Sequence, residues 1–228
     1  PGDPADRGVY YGEGAAAGAL AVVFPGQGSQ YPDMGRELVL RFPEAFETIE
    51  TAQRVLGLEP PLGDLLYPPH PPGRADEERL QATDLAQPAI GAASLALWKA
   101  LRAFGLSPAA AAGHSFGELT ALCAAGRLDE EVFFALARSR GRAMAQAPPG
   151  SMAAVFAPLA AVDRAVSEAG LPVVVANRNA PRQAVVSGPP EAVAQLAETF
   201  GRHGVRVMPL PVGGAFHSPL MAEASLTF

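Results

Sequence analysis

The stretch AAGHSFGELTAL, Ala111 to Leu122, sets a serine between two glycines, at Gly113, Ser115 and Gly117, directly before a helix-forming run. Read with its flanks, PAAAAGHSFGELTALCAAG gives a strand, a sharp turn and a helix. A Gly-x-Ser-x-Gly spacing makes a turn too tight for most side chains and pushes the serine out at the helix N-terminus. Free backbone N–H groups and the helix dipole there favour developing negative charge. A serine hydroxyl is a weak nucleophile, so it needs a base within hydrogen-bond reach and aimed N–H donors for an oxyanion. The competing reading is that Gly113 and Gly117 only make a turn while Ser115 caps the helix; the spacing alone leaves both open.

Four histidines can supply the base. His70 lies in the proline-rich PPHPP and His203 ends a polar helix in GRHG, so both read as surface residues. His114 adjoins the serine, but neighbouring side chains on a sharp turn diverge, and it reads as fixing the turn. His217, in GGAFHSPLM, sits where a connection returning to the first half of the chain can lay it over Ser115; spacing leaves a structural role equally open. An arginine stands out as well. On the helix that starts near Asp129, residues Phe133, Leu136, Ala137, Arg140 and Met144 share one apolar face. A buried guanidinium must find an anion. The predicted strands offer no acid, so a substrate carboxylate held by the planar fork meets that need, against the alternative of a core salt bridge.

Outward from this centre, LAVVF (Leu20 to Phe24) followed by PGQGSQ reads as a strand buried on both faces and ended by a glycine-containing loop. A helix is expected from about Met34 to Leu56. EPPLGDLLYPPHPPGRADEERL carries so many prolines that it is expected to be mostly irregular. QPAIGAASLALWKALRAFG resumes helical periodicity with Pro88 near the first turn. From Ser151 the order is strand, helix, strand, strand, helix, strand, the split β-α-β arrangement of a ferredoxin-like unit. The expected organisation is a linker over 1–18, a large α/β subdomain over 19–150, a small ferredoxin-like subdomain over 151–211, and a return to the large subdomain over 212–228.

Composition bounds the function. With 228 residues, 49% of them apolar and 18% charged, the chain can bury a sizeable core. Seventeen basic and 23 acidic residues, a net charge of -6, include no basic stripe, so nucleic acid is an unexpected partner. The single cysteine, Cys123, excludes an internal disulfide framework, no leader-like segment opens the chain, and a cytoplasmic setting is the expectation. No apolar run approaches the roughly 18 to 20 residues that span a bilayer, so no membrane partner is expected.

Five motifs in order, VFPGQGSQ, GHSFGE, RGRAM, VSG and AFHSPLM, closely resemble the malonyl-CoA:acyl carrier protein acyltransferases, a family that includes the free-standing fatty-acid enzyme and the acyltransferase domains of polyketide synthases. The resemblance runs from about Leu20 to Met221. GHSFGELTAL with GAFH is most similar to the domains of enediyne and polyunsaturated fatty acid synthases. The implied fold is an α/β class: an α/β-hydrolase-like large domain carrying an inserted ferredoxin-like (βαββαβ) small subdomain. Ser115 matches the nucleophile that carries the acyl ester, His217 the general base and acid, and Arg140 the arginine that grips the free carboxylate of malonate. The backbone N–H groups of Gln27 and Phe116 match the oxyanion-hole donors. Phe216, a bulky aromatic before the histidine, resembles the malonyl-selecting pattern. Gln87, Asn177 and Asn179 fall where the family has polar residues near the site, and His114 joins them as a candidate on the substrate side.

The resemblance implies ping-pong transfer from malonyl-CoA through a serine ester to the phosphopantetheine thiol of an acyl carrier protein. It implies no metal and no permanently bound cofactor, malonyl-CoA being the acyl donor, and neighbouring synthase domains as further partners. One departure is visible: family members continue for several tens of residues beyond the position of Phe228, through a part of the large domain that supplies a backbone carbonyl to orient the histidine. That part is expected to be missing here, and three readings stay open: truncation, a remainder on a separate polypeptide, or a fragment of poor activity in which His217 is mispositioned. Two other classes remain in view. A serine esterase or thioesterase uses the same elbow but needs an acid between serine and histidine, and no acid in that interval is placed like a triad member. A non-catalytic docking domain of the same fold is the third.

Overall fold

The computed structural model describes residues 13–14 and 18–227, so most of the segment read as a linker over 1–18 lies outside the described residues. Strand β1 (Ala21–Phe24) pairs in parallel with β2 (Ala110–Gly113), with Ala21 opposite Ala110 and Phe24 opposite Gly113. Five helices fill the crossover between them: α1 (Arg36–Arg41), α2 (Pro43–Leu56), α3 (Leu62–Leu66), α4 (Arg74–Gln81) and α5 (Thr83–Ala103). After β2 come α6 (Gly117–Ala124) and α7 (Glu130–Ala145). α5 packs along α2 and α7, and the core of this half gathers Ile49, Leu56, Leu62, Leu66, Ile90 and Phe133.

Three local expectations are corrected. The helix expected over Met34 to Leu56 is two helices, because Phe42 is extended (φ -114°, ψ 115°) and Pro43 opens α2. The ring of a proline clashes with a helical residue before it, whereas its fixed φ suits the first helical position. In the proline-rich segment, α3 and α4 form between the prolines rather than being excluded by them; Leu62, Leu65 and Leu66 recur at helical spacing and are buried, as is Leu80. Finally, β1 is covered on one face only. Phe24 meets Trp98 of α5 edge-on at 6.3 Å, while Val23, on the opposite face, is 71% exposed. An apolar run records that a strand has apolar side chains, not how many layers cover it; among the described residues this sheet has two strands.

The second half is a different construction. β3 (Ser151–Val155), α8 (Leu159–Ala169), β4 (Val174–Ala180), β5 (Gln183–Gly188), α9 (Pro190–Arg202) and β6 (Val207–Pro209) follow in that order. The strands form one antiparallel sheet in the order β4-β5-β3-β6, the ferredoxin-like arrangement in which β5 inserts between the strands of the first β-α-β unit. Side chains alternate across it. Ala153, Val155, Ala184 and Val186 face Val162 of α8 and Val193, Leu196 and Phe200 of α9. Met152 and Val185 point the other way, into a cluster with Phe216 and Met221.

That cluster fastens the return of the chain. Gly214 bridges Pro149, Ser218 Oγ donates to the carbonyl of Ala215 at 2.6 Å, and a 3-10 turn over Pro219–Met221 leads into α10 (Ala222–Thr227). Burying Phe216 and Met221 on the inner face of the sheet is therefore what holds His217 where it lies; side chains of this size contribute about 1.5 to 3 kcal/mol each when fully buried.

Candidate active site

The turn at Ser115 is built from backbone contacts that only glycine allows. A Cβ on Gly113 would strike the backbone of Gly117 and Glu118, and one on Gly117 would strike the carbonyls of Phe24 and Pro25. The end of β2 is tied to β1 by the His114 N–H, which donates to the Phe24 carbonyl at 3.0 Å, and the turn closes with Gly117 N–H to the His114 carbonyl at 2.9 Å. Ser115 itself has a φ of 53°. Left-handed backbone costs a non-glycine residue about 1 to 2 kcal/mol, and such strain persists only where the surroundings impose it.

Ser115 caps nothing. α6 has no side-chain cap bond, and the Ser115 Oγ instead lies 2.9 Å from Nε2 of His217, a residue 102 positions away. His217 is also left-handed, with a φ of 58°. For the serine to donate, Nε2 must be unprotonated, which puts the ring proton on Nδ1. Neither a hydrogen-bond partner for Nδ1 nor a carboxylate within ion-pair distance of the ring is found among the described residues. Burial, then the positive Arg140 and then His114, hold His217 below the ordinary histidine value of 6.5, while Glu118 pulls it back up. Near neutral pH the imidazole is thus free to accept a proton.

Arg140 reaches this pair from α7. It is half-buried, and no acid pairs with it among the described residues; its neighbours on the helix do other things, Arg138 donating to the carbonyls of Val55 and Leu56 at the end of α2. Burial pulls the Arg140 pKa down and Glu118 pulls it up. One guanidinium hydrogen bond is made, from Nη1 to Oε1 of the fully buried Gln87 at 2.6 Å. Arg140 lines a cavity of about 200 Å³ together with Met144, His217, Ser218 and Met221. A positive fork beside a nucleophile–base pair suits a carboxylate-bearing group whose other end reaches Ser115.

The remaining candidates fall on two sides. Gln27 stands in the loop after β1, pinned by Ser29 Oγ to the Gly26 carbonyl at 2.9 Å and by Gly28 N–H to Gln30 Oε1 at 2.8 Å. Neither its N–H nor that of Phe116 donates to a protein acceptor among the described residues, so both donors are left unpaired by the protein. The Phe116 ring points away, fully buried against Phe133 at 6.1 Å. Phe216, 7% exposed, lines a second cavity of about 230 Å³ that it shares with Gln27 and Thr83, and Met144 borders both cavities. Asn179 reaches the site through His114, whose Nε2 lies 3.3 Å from its Oδ1; Asn177 sits past a bulge in β4, opposite Val185, and makes no hydrogen bond to these residues. Sequence reasoning missed Thr83, Met144 and Glu118 as site groups. The spacing of Thr83 four residues before Gln87, and of Met144 four after Arg140, is the signal that could have found the first two.

Fold and site together define a mixed α/β chain with a strained serine–histidine pair and an adjoining arginine. Residues 21–226 match the profile of the acyl transferase domain family, and the chain belongs to that family. It is 39% identical over 218 residues to a type I polyketide synthase for phenolphthiocerol synthesis from Mycobacterium marinum, covering 94% of this chain and 10% of the synthase. It is 38% identical over 214 residues to the malonyl CoA-acyl carrier protein transacylase of Bacillus subtilis, covering 90% of this chain and 65% of that enzyme. The chain thus spans less than two thirds of the length of these relatives. Among solved structures, a malonyl-transacylase in complex with its type II polyketide synthase acyl carrier protein superposes with a TM-score of 0.82 at 35% identity, over 91% of this chain and 67% of the other.

Proposed function

We propose that this chain transfers a malonyl group from malonyl-CoA to the phosphopantetheine thiol of an acyl carrier protein by way of an ester on Ser115. The observation that carries the reading is the 2.9 Å contact between Ser115 Oγ and His217 Nε2 beside Arg140, a guanidinium with no acid partner among the described residues. His217 takes the hydroxyl proton as Oγ attacks the thioester carbonyl. The oxyanion is met by the N–H groups of Gln27 and Phe116, and the C–S bond breaks as His217 returns the proton to the departing coenzyme A thiolate. The carrier thiol then attacks the ester by the same route and restores the serine hydroxyl. Arg140 holds the malonate carboxylate throughout.

Water competes with the carrier thiol, and a bound, oriented malonyl group favours the thiol only while water is poorly aligned with the ester. Phe216 restricts the space for a methyl branch; a difference of one methyl is worth about 1 to 3 kcal/mol, so the preference for malonyl over methylmalonyl is strong but leaky. The motifs GHSFGELTAL and GAFH are the support for placing the chain nearest the enediyne and polyunsaturated fatty acid synthase type, with neighbouring synthase domains as partners.

The test is transfer to a phosphopantetheinylated carrier protein, followed by intact mass with malonyl-CoA and acetyl-CoA as competing donors. Malonyl-carrier is expected to dominate, Ser115→Ala to yield none, and Arg140→Ala to erase the preference for malonyl. Release of free coenzyme A without acyl-carrier would make the chain a hydrolase instead.

A further inference from the structure

Arg140 has only donors, and this fixes the direction of a chain of hydrogen bonds that runs across the site. Because Nη1 of Arg140 donates to Gln87 Oε1 at 2.6 Å, the amide nitrogen of Gln87 must face the other way. It points at Thr83 Oγ1 at 2.9 Å and Met144 Sδ at 3.2 Å. The Thr83 hydroxyl has one hydrogen, and with Gln87 donating to it, that hydrogen goes to Gln27 Oε1 at 2.8 Å. The relay therefore reads Arg140 to Gln87 to Thr83 to Gln27, and Thr83 is the only member that both accepts and donates through one atom.

Local structure supports the placement. Thr83 is the first residue of α5, and Gln87 is one turn further on. The backbone of α7 comes close there, since a Cβ on Gly141 would lie 3.0 Å from the Thr83 carbonyl, so Arg140 and Met144 on that helix meet the start of α5 directly. Gln27 carries one of the two unpaired N–H groups that the acyl-transfer reading assigns to the oxyanion, and within its loop the other side-chain bonds secure Gly26 and Gly28 rather than Gln27. The only side-chain hydrogen bond that anchors Gln27 among the described residues is the one from Thr83.

Resting on the acyl-transfer reading above, we infer that Thr83 is a positioning residue that sets the Gln27 N–H against the developing oxyanion and couples that setting to the arginine that holds the carboxylate. Valine has nearly the shape of threonine without the hydroxyl. Thr83→Val leaves Gln87 Nε2 without its oxygen partner and Gln27 Oε1 without its donor, so Gln27 loses its side-chain anchor while the bonds at Gly26 and Gly28 persist. Serine restores both bonds.

A fluorophosphonate that labels Ser115 uses the serine, the histidine and the oxyanion donors but has no carboxylate for Arg140, so it tests the Thr83–Gln27 arm independently of malonyl chemistry. Thr83→Val is expected to slow labelling about tenfold with an unchanged final extent, and Thr83→Ser to label at the parent rate. With malonyl-CoA, Thr83→Val lowers kcat and also raises KM, whereas with acetyl-CoA only kcat falls. Equal labelling rates for Thr83→Val and the parent, no labelling of either, or a loss confined to the labelled fraction would overturn the assignment. Failure of the parent to take up malonyl while the labelling difference persists would instead count against the acyl-transfer reading and leave the role of Thr83 standing.

Discussion

The two sheets of this chain treat burial in opposite ways. The four-stranded sheet is covered twice, by α8 and α9 on one face and by Phe216 and Met221 on the other, whereas the parallel pair β1–β2 carries Phe24 into the core and leaves Val23 71% exposed. Yet Ser115 follows the thinly covered sheet, and His217 is brought to it by the return segment that the well-covered sheet holds. The pair thus joins an element fixed by backbone sterics at Gly113 and Gly117 to one fixed by side-chain packing around Phe216. Different substitutions should break each.

The largest effect is expected at the elbow. Gly117→Ala pushes a methyl into the Phe24 carbonyl and moves Ser115; misplacement of this order lowers a positioned reaction by at least about a hundredfold, read as the rate of acylation by intact mass. Next comes the packed side. Leu196→Ala, in the fully buried face of α9, is expected to cost about 2 to 5 kcal/mol in a denaturant melt. Val23→Thr, on the bare face of β1, should stay within about 0.5 kcal/mol by the same melt. A loss at Val23 as large as that at Leu196 would mean that the two sheets do not differ in the way described.

Smaller effects test the electrostatics that bridge the halves. Only neutral His217 can take the serine proton, so activity falls as pH drops through its pKa, and the acid limb of kcat/KM is expected below 6.5 because burial, Arg140 and His114 all disfavour the charged ring. Removing the positive charge in Arg140→Gln takes away one of those pressures and should move the limb up, toward the ordinary value. Glu118→Gln removes the opposing pull and should move it further down. The acetyl-CoA reaction, which needs no carboxylate grip, is the cleaner substrate for this profile.

How much of this could be read from residues alone follows from what each signal encodes. The elbow was legible because its glycine spacing is a steric requirement of the turn, and Arg140 because one guanidinium on a face shared with Phe133 and Ala137 breaks helical periodicity of burial. His217 could be narrowed from four histidines by position, but its 2.9 Å approach to Ser115 depends on how Phe216 and Met221 dock on β3 and β5, which no local pattern records. The break at Phe42 is written in the following Pro43, which suits the first position of a helix and not its interior. Exposure of Val23 was illegible, since the number of layers over a strand is a tertiary fact. Thr83 is an ordinary polar residue at a helix start whose one local signal is its spacing four residues before Gln87, and Glu118 carries no such signal; its electrostatic effect on His217 and Arg140 arises only in the fold.

The central claim is that one acyl group passes through Ser115 under control of His217, and rapid-quench mapping of the acylated peptide tests it most directly. After mixing with malonyl-CoA, the account predicts a malonyl ester on the peptide containing Ser115, with His217→Ala slowing its appearance by about a hundredfold to ten-thousandfold. A malonyl group found on any other residue, or an ester that forms equally fast without the imidazole, would contradict it.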